Sequence, residues 1–82
     1  MIPRISHVEP LPDCMLYVVF DDGKKVIYDV KDDIRRIRFY RPLIEEEGLF
    51  QQVRLSESRT CVFWTDAIDL PSDAIYDFRK PI

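Results

Sequence analysis

Four aspartates and the chain's one tryptophan fall within a single stretch, CVFWTDAIDLPSDAIYD, at residues 61–77. Two carboxylates of unequal environment facing one cleft can divide acid and base roles between them. Asp66 and Asp69 are the pair this stretch offers, and enzyme action through them requires a concave pocket holding both. The remaining residues that could carry chemistry are sparse. His7 is the only histidine, and Cys14 and Cys61 are the only cysteines. They form no CxxC and no cluster with metal-ligand spacing, so no metal is expected. No serine sits in a nucleophile-elbow motif, and the one histidine is far in sequence from Cys61. Two glycines in the whole chain exclude a glycine-rich phosphate loop. The expectation is a protein without catalytic activity and without a cofactor. Two free thiols buried beside strands are the simplest reading of the cysteines, and His7 reads as a structural strand residue.

A second grouping is cationic. Arg35, Arg36, Arg38 and Arg41 follow one another closely and form a candidate anion or nucleic-acid patch. The plainer reading is a solvated helix face, with arginines favourably placed toward its C-terminus. The net charge of −3 gives no global basic field to draw the molecule onto nucleic acid, so nucleic acid is not the favoured partner.

The 82 residues fit one domain, of 46% hydrophobic and 33% charged composition, as in globular chains. The longest apolar run, MLYVVF at residues 15–20, is too short to span a bilayer. The opening MIPRISHVEP lacks a signal-peptide pattern, and a cytoplasmic protein without membrane association is expected.

The strongest local signal is MLYVVFDDGKKVIYDV. Asp22-Gly23 between two apolar runs marks a hairpin. A two-residue turn there pairs Phe20 with Lys25, Val19 with Val26, Val18 with Ile27 and Tyr17 with Tyr28. One face then carries Leu16, Val18, Phe20 and Ile27, and the other Tyr17, Val19, Val26 and Tyr28. Both faces are apolar, whereas a sheet with one wet side should alternate, so each face needs a cover. Either helices supply both covers or a second molecule supplies one.

Around this hairpin, RISHVEPLPD reads as a strand over residues 4–8, ended by Pro10 and Pro12. In VKDDIRRIRFYRPL, Val30, Ile34 and Ile37 have helical spacing, with Pro42 as the stop because it pushes Arg41 out of the helical region. LIEEEGLFQQ suggests a short acidic turn of helix ending at Gly48, with Leu49 and Phe50 returning to the core. QVRLSESRTCVFW suggests a second hairpin, with residues 56–59 as the loop and residues 60–64 as its more buried strand. Ser72 suits the N-cap of a short helix over residues 73–78. Together these predict an α+β domain over residues 1–82. It has a small, mainly antiparallel sheet of two hairpins plus an N-terminal strand, one main helix and a short C-terminal helix.

The segments PRISHVEPLPD, LYVVFDDGKKVIYDV, RPL, LFQQV and WTDAIDLPSDAIYD occur in an order that resembles the bacterial domain-of-unknown-function family 2442, over nearly the whole chain. The resemblance implies a small α+β domain, found alone or joined to a helix-turn-helix DNA-binding domain. It also implies a setting like a toxin–antitoxin pair, the partner being encoded by a neighbouring gene. It assigns no activity and no functional residues. No helix-turn-helix is expected in these 82 residues, so the DNA role of the fused members is not expected here, and Thr65, Asp66 and Ala67 stand where the family often has proline, asparagine and glycine. The expected role is therefore a non-catalytic protein-interaction or regulatory module of a small protein pair. It would bind a partner protein or form a homodimer through Tyr17, Val19, Val26 and Tyr28, since tyrosine is enriched in binding surfaces. The alternative is a nucleic-acid-binding or transcription-regulatory accessory domain using Arg35, Arg36, Arg38 and Arg41.

Overall fold

A computed structural model describes residues 2–78. The first sheet has the order β1-β2-β3, from Ile5–Leu11, Met15–Phe20 and Lys25–Asp29, all antiparallel. Next come α1 at Lys31–Arg36, a 3-10 turn at Arg38–Tyr40, α2 at Pro42–Glu45 and a 3-10 turn at Phe50–Gln52. A second antiparallel sheet, β4-β5-β6, follows from Arg54–Leu55, Cys61–Thr65 and Ile68–Pro71, and α3 occupies Ser72–Tyr76. The α+β class is as expected. The strands form two three-stranded sheets instead of the single small sheet expected, and β6 fills the stretch between the predicted strand at residues 60–64 and the predicted C-terminal helix.

The hairpin forms, with its register one residue away from the two-residue-turn prediction. Val19 pairs with Lys25, Val18 with Val26, Tyr17 with Ile27 and Leu16 with Tyr28. The amide of Phe20 donates to the carbonyl of Lys24, and the amide of Gly23 to the carbonyl of Phe20, with Gly23 at φ +92°. This is a three-residue loop, a tight turn followed by a left-handed glycine. A shift of one residue exchanges the faces of a strand. Val26 and Tyr28 therefore turn inward and are buried with Leu16, Val18 and Phe20, while Ile27 turns outward with Tyr17 and Val19.

β1 is longer than predicted and contains Pro10, which an edge strand accommodates. Its register shifts between Ile5 and His7, so two residues that alternation would place together separate. Ile5 is fully buried and His7 is exposed.

The predicted long helix is broken. α1 stops after six residues because Ile37 is extended, at φ −115° and ψ 111°. The break turns Tyr40 into the core, where its hydroxyl donates to the carbonyl of Asp69 and its ring lies 6.4 Å from that of Trp64. Pro42 opens α2 instead of closing α1, a position where its missing N–H costs nothing, and Arg41 keeps helical dihedrals. Gly48, at φ +82°, follows the acidic turn, and Leu49 and Phe50 are buried as predicted. In the 56–60 connection Arg59 adopts φ +59° with no glycine available. Ser72 is the first residue of α3 and not its cap, for its side chain makes no capping bond and Pro71 holds the cap position.

One core joins the inward residues of both sheets with Val30, Ile34, Tyr40, Leu43, Leu49, Phe50 and Ile75. The sheets are linked directly where the amide of Ile5 donates to the carbonyl of Arg59 at 2.8 Å, while the Arg59 guanidinium reaches Asp21 at 2.8 Å. Among the described residues, no helix is long and apolar enough to cross a membrane.

Candidate functional site

The outer face of the first sheet follows from its register. Across the strands it carries His7 and Glu9, then Met15, Tyr17 and Val19, then Lys25 and Ile27. Ile27 is 47% exposed and Tyr17 and Val19 are half-buried, while the core lies wholly on the opposite side. His7 Nε2 lies 3.6 Å from Glu9 Oε2, and the His7 ring meets the edge of Tyr17 at 6.2 Å between centroids. The result is a small apolar centre with a polar rim. Of the four residues assigned to one binding face by sequence, only Tyr17 and Val19 share it. Val26 and Tyr28 lie in the core, and Ile27 takes the place on the outer face that had been given to them.

Tyr28 has a different part, which sequence patterning did not reveal. Its hydroxyl donates to Asp33 Oδ2 at 2.6 Å, and Asp33 is a buried carboxylate. Arg36 approaches the other oxygen of Asp33 at 3.5 Å. Burial first, then the Asp33 hydrogen bond and charge, push the Tyr28 hydroxyl well above the ordinary tyrosine pKa. A tyrosine and an aspartate five apart across a strand-to-helix connection was the available signal, and it is weak.

The arginines are brought together. Arg35, Arg36, Arg38 and Arg41 line one concavity of about 480 Å³. Arg35 pairs with Asp32 at 3.6 Å, and Arg36 with Asp33. Neither Arg38 nor Arg41 has an ion-pair partner among the described residues. A smaller concavity of about 230 Å³ adjoins it, lined by Asp13, Cys14, Lys31, Ile34, Arg35 and Ile44. Lys31 Nζ donates to the carbonyl of Asp13 at 2.8 Å and lies 3.2 Å from Asp29, which braces the left-handed pair Asp13 and Cys14 at φ 66° and 56°. Burial raises the Cys14 thiol pKa, with Lys31 opposing it. Both cysteines are free thiols and are half-buried, less enclosed than the sequence suggested.

Asp66 and Asp69 do not meet in a cleft. Asp66 is exposed in the β5–β6 turn and Asp69 is exposed on β6, paired with Phe63. Neither lines the arginine groove or the Cys14 pocket. No group of three or more His, Cys, Asp or Glu side chains among the described residues is arranged to hold a metal ion.

Residues 5–81 match the family model described as "Protein of unknown function (DUF2442)". The chain belongs to this family. Comparison with curated proteins and with solved structures returns no match. For this DUF2442 domain, the candidate sites are therefore those its own geometry supplies, namely the outer sheet face and the arginine groove.

Proposed function

We propose that this DUF2442 domain is a non-catalytic interaction module. It binds a partner protein, or a second copy of itself, through the outer face of the first sheet, as the regulatory, antitoxin-like member of a small protein pair. The observation that carries the binding reading is the set Tyr17, Val19 and Ile27, aligned on one face with the core behind it. An antiparallel sheet tolerates water on one side when that side is polar. This one is apolar at its centre, and its rim of His7, Glu9 and Lys25 resembles the polar margin of a binding patch. The antitoxin-like pairing rests on the family resemblance and not on the geometry.

The test is the double variant Tyr17→Ser with Ile27→Ser, compared with the parent by light scattering and by capture of the partner from cell extract. Association is expected to disappear while Trp64 fluorescence and the urea midpoint stay near those of the parent. Equal association of variant and parent would sink the reading. Tyr28 is unsuitable for this test, because serine there would strip the core and unbalance Asp33.

A second reading, nucleic-acid binding or transcription-regulatory action, is favoured by one observation, the convergence of four arginines on one groove. It predicts binding of an oligonucleotide that weakens steeply with salt. No binding at low salt would dispose of it.

A further inference from the structure

The arginine groove and the Cys14 pocket share Arg35 as a common wall. One compartment is lined by arginines alone. The other has Ile34 and Ile44 in its wall, with Ile44 60% exposed. We propose that this two-compartment site takes a small phosphate ester. Its phosphate groups lie against Arg35, Arg36, Arg38 and Arg41, and its compact apolar or planar portion sits against Ile34, Ile44 and Cys14.

Four guanidinium groups around one concavity repel one another, and a multiply charged anion relieves that repulsion. The planar fork of arginine matches phosphate oxygens in paired hydrogen bonds. Arg38 and Arg41 are available at once, and the exposed pair of Arg35 with Asp32 is of the weak class that a competing anion displaces, while Arg36 stays beside the buried Asp33.

The size of the site favours a compact ligand over a nucleic-acid strand. Tight binding to a duplex engages about 6–10 phosphates, whereas these four arginines face one groove. The exposed Glu45, Glu46 and Glu47 follow directly in the chain, and the net charge is −3, so a long polyanion meets repulsion beyond the groove. A site of this volume lies within the range of small-molecule pockets. The inference is independent of the sheet-face reading, since none of the outer-face residues contributes to the groove.

The experiment is calorimetric titration of the whole chain with ATP, inorganic triphosphate and a short single-stranded oligodeoxynucleotide. It uses the parent, the double variant Arg38→Ala with Arg41→Ala, and Ile44→Ser. All three substituted positions are solvent-exposed, and unchanged Trp64 fluorescence verifies the fold. ATP is expected to bind saturably and more tightly than triphosphate. The double arginine variant should weaken both by roughly tenfold or more, as for lost charge-assisted contacts. Ile44→Ser should weaken ATP and leave triphosphate unchanged. Absence of ATP binding at millimolar concentration overturns the proposal, as does equal affinity of the arginine variant and the parent. Oligonucleotide binding tighter than that of ATP also overturns it and favours the nucleic-acid reading.

Discussion

Tyr28 and Asp33 show how one side chain can join two elements. The tyrosine stands one residue before the end of its strand with the ring in the core, and its hydroxyl meets a carboxylate in the first turn of α1. Replacing Tyr28 with phenylalanine keeps the ring and removes the donor, leaving Asp33 buried with only Arg36 at 3.5 Å. A loss of about 1–3 kcal/mol follows from stranding a buried acceptor, measurable by urea denaturation with Trp64 as the fluorescent probe. The same residues set an alkaline limit. Burial, then the charges of Asp33 and Asp69, push the Tyr40 hydroxyl up to about 12, and the Tyr28 hydroxyl moves in the same direction. A folded-state pKa above the unfolded value favours the protonated folded form. The stabilisation is complete below the ordinary tyrosine pKa near 10 and is lost as pH rises from there through the folded values. Urea midpoints should therefore be flat with respect to these two groups below that range and fall above it. Tyr28→Phe should show the shallower fall; a fall no shallower than that of the parent would contradict this account.

The β2–β3 hairpin shows what local chemistry can and cannot specify. Asp-Gly announces the turn, but loops of two and three residues both accept the pair. The three-residue loop puts Leu16, Val18, Phe20, Val26 and Tyr28 inward together, and it brings Tyr28 to Asp33. The alternative register would send Val26 and Tyr28 outward. Packing thus overrode the two-residue turn that Asp22-Gly23 predicts. Gly23 supplies the left-handed residue the loop requires, and nothing lies within 4 Å of a β-carbon built on it. Gly23→Ala should therefore cost about 1 kcal/mol from backbone conformation alone, read as a lower urea midpoint with an unchanged spectrum. The arginine segment followed similar logic. Val30, Ile34 and Ile37 have helical spacing, but Ile37 became the extended break that lets Tyr40 reach Trp64 and Asp69. Around that break Arg35, Arg36, Arg38 and Arg41 line one groove.

At the scale of the molecule, two small sheets depend on one core, with Ile5 at their junction. Its side chain is fully buried, and its amide is held by the carbonyl of Arg59. Ile5→Ala should cost about 2–5 kcal/mol, the range for large-to-small changes at rigid core positions. Fluorescence of Trp64 on β5 and far-UV circular dichroism of the whole chain should still lose structure together if the sheets form one cooperative unit. Separate transitions would show that each sheet stands alone. Composition and alternation sufficed to determine an α+β domain with a first hairpin, an acidic solvated turn and a short C-terminal helix, because these depend on neighbours a few residues apart. The tertiary structure decided that β6 pairs with β5, that Ser6 interrupts alternation so Ile5 turns in and His7 out, and that Ile27 rather than Tyr28 joins Tyr17 outside. It also gathered four arginines into one groove and left Asp66 and Asp69 exposed away from it. Each of these depends on which surfaces bury best against residues distant in the chain, a competition that no local window of sequence contains.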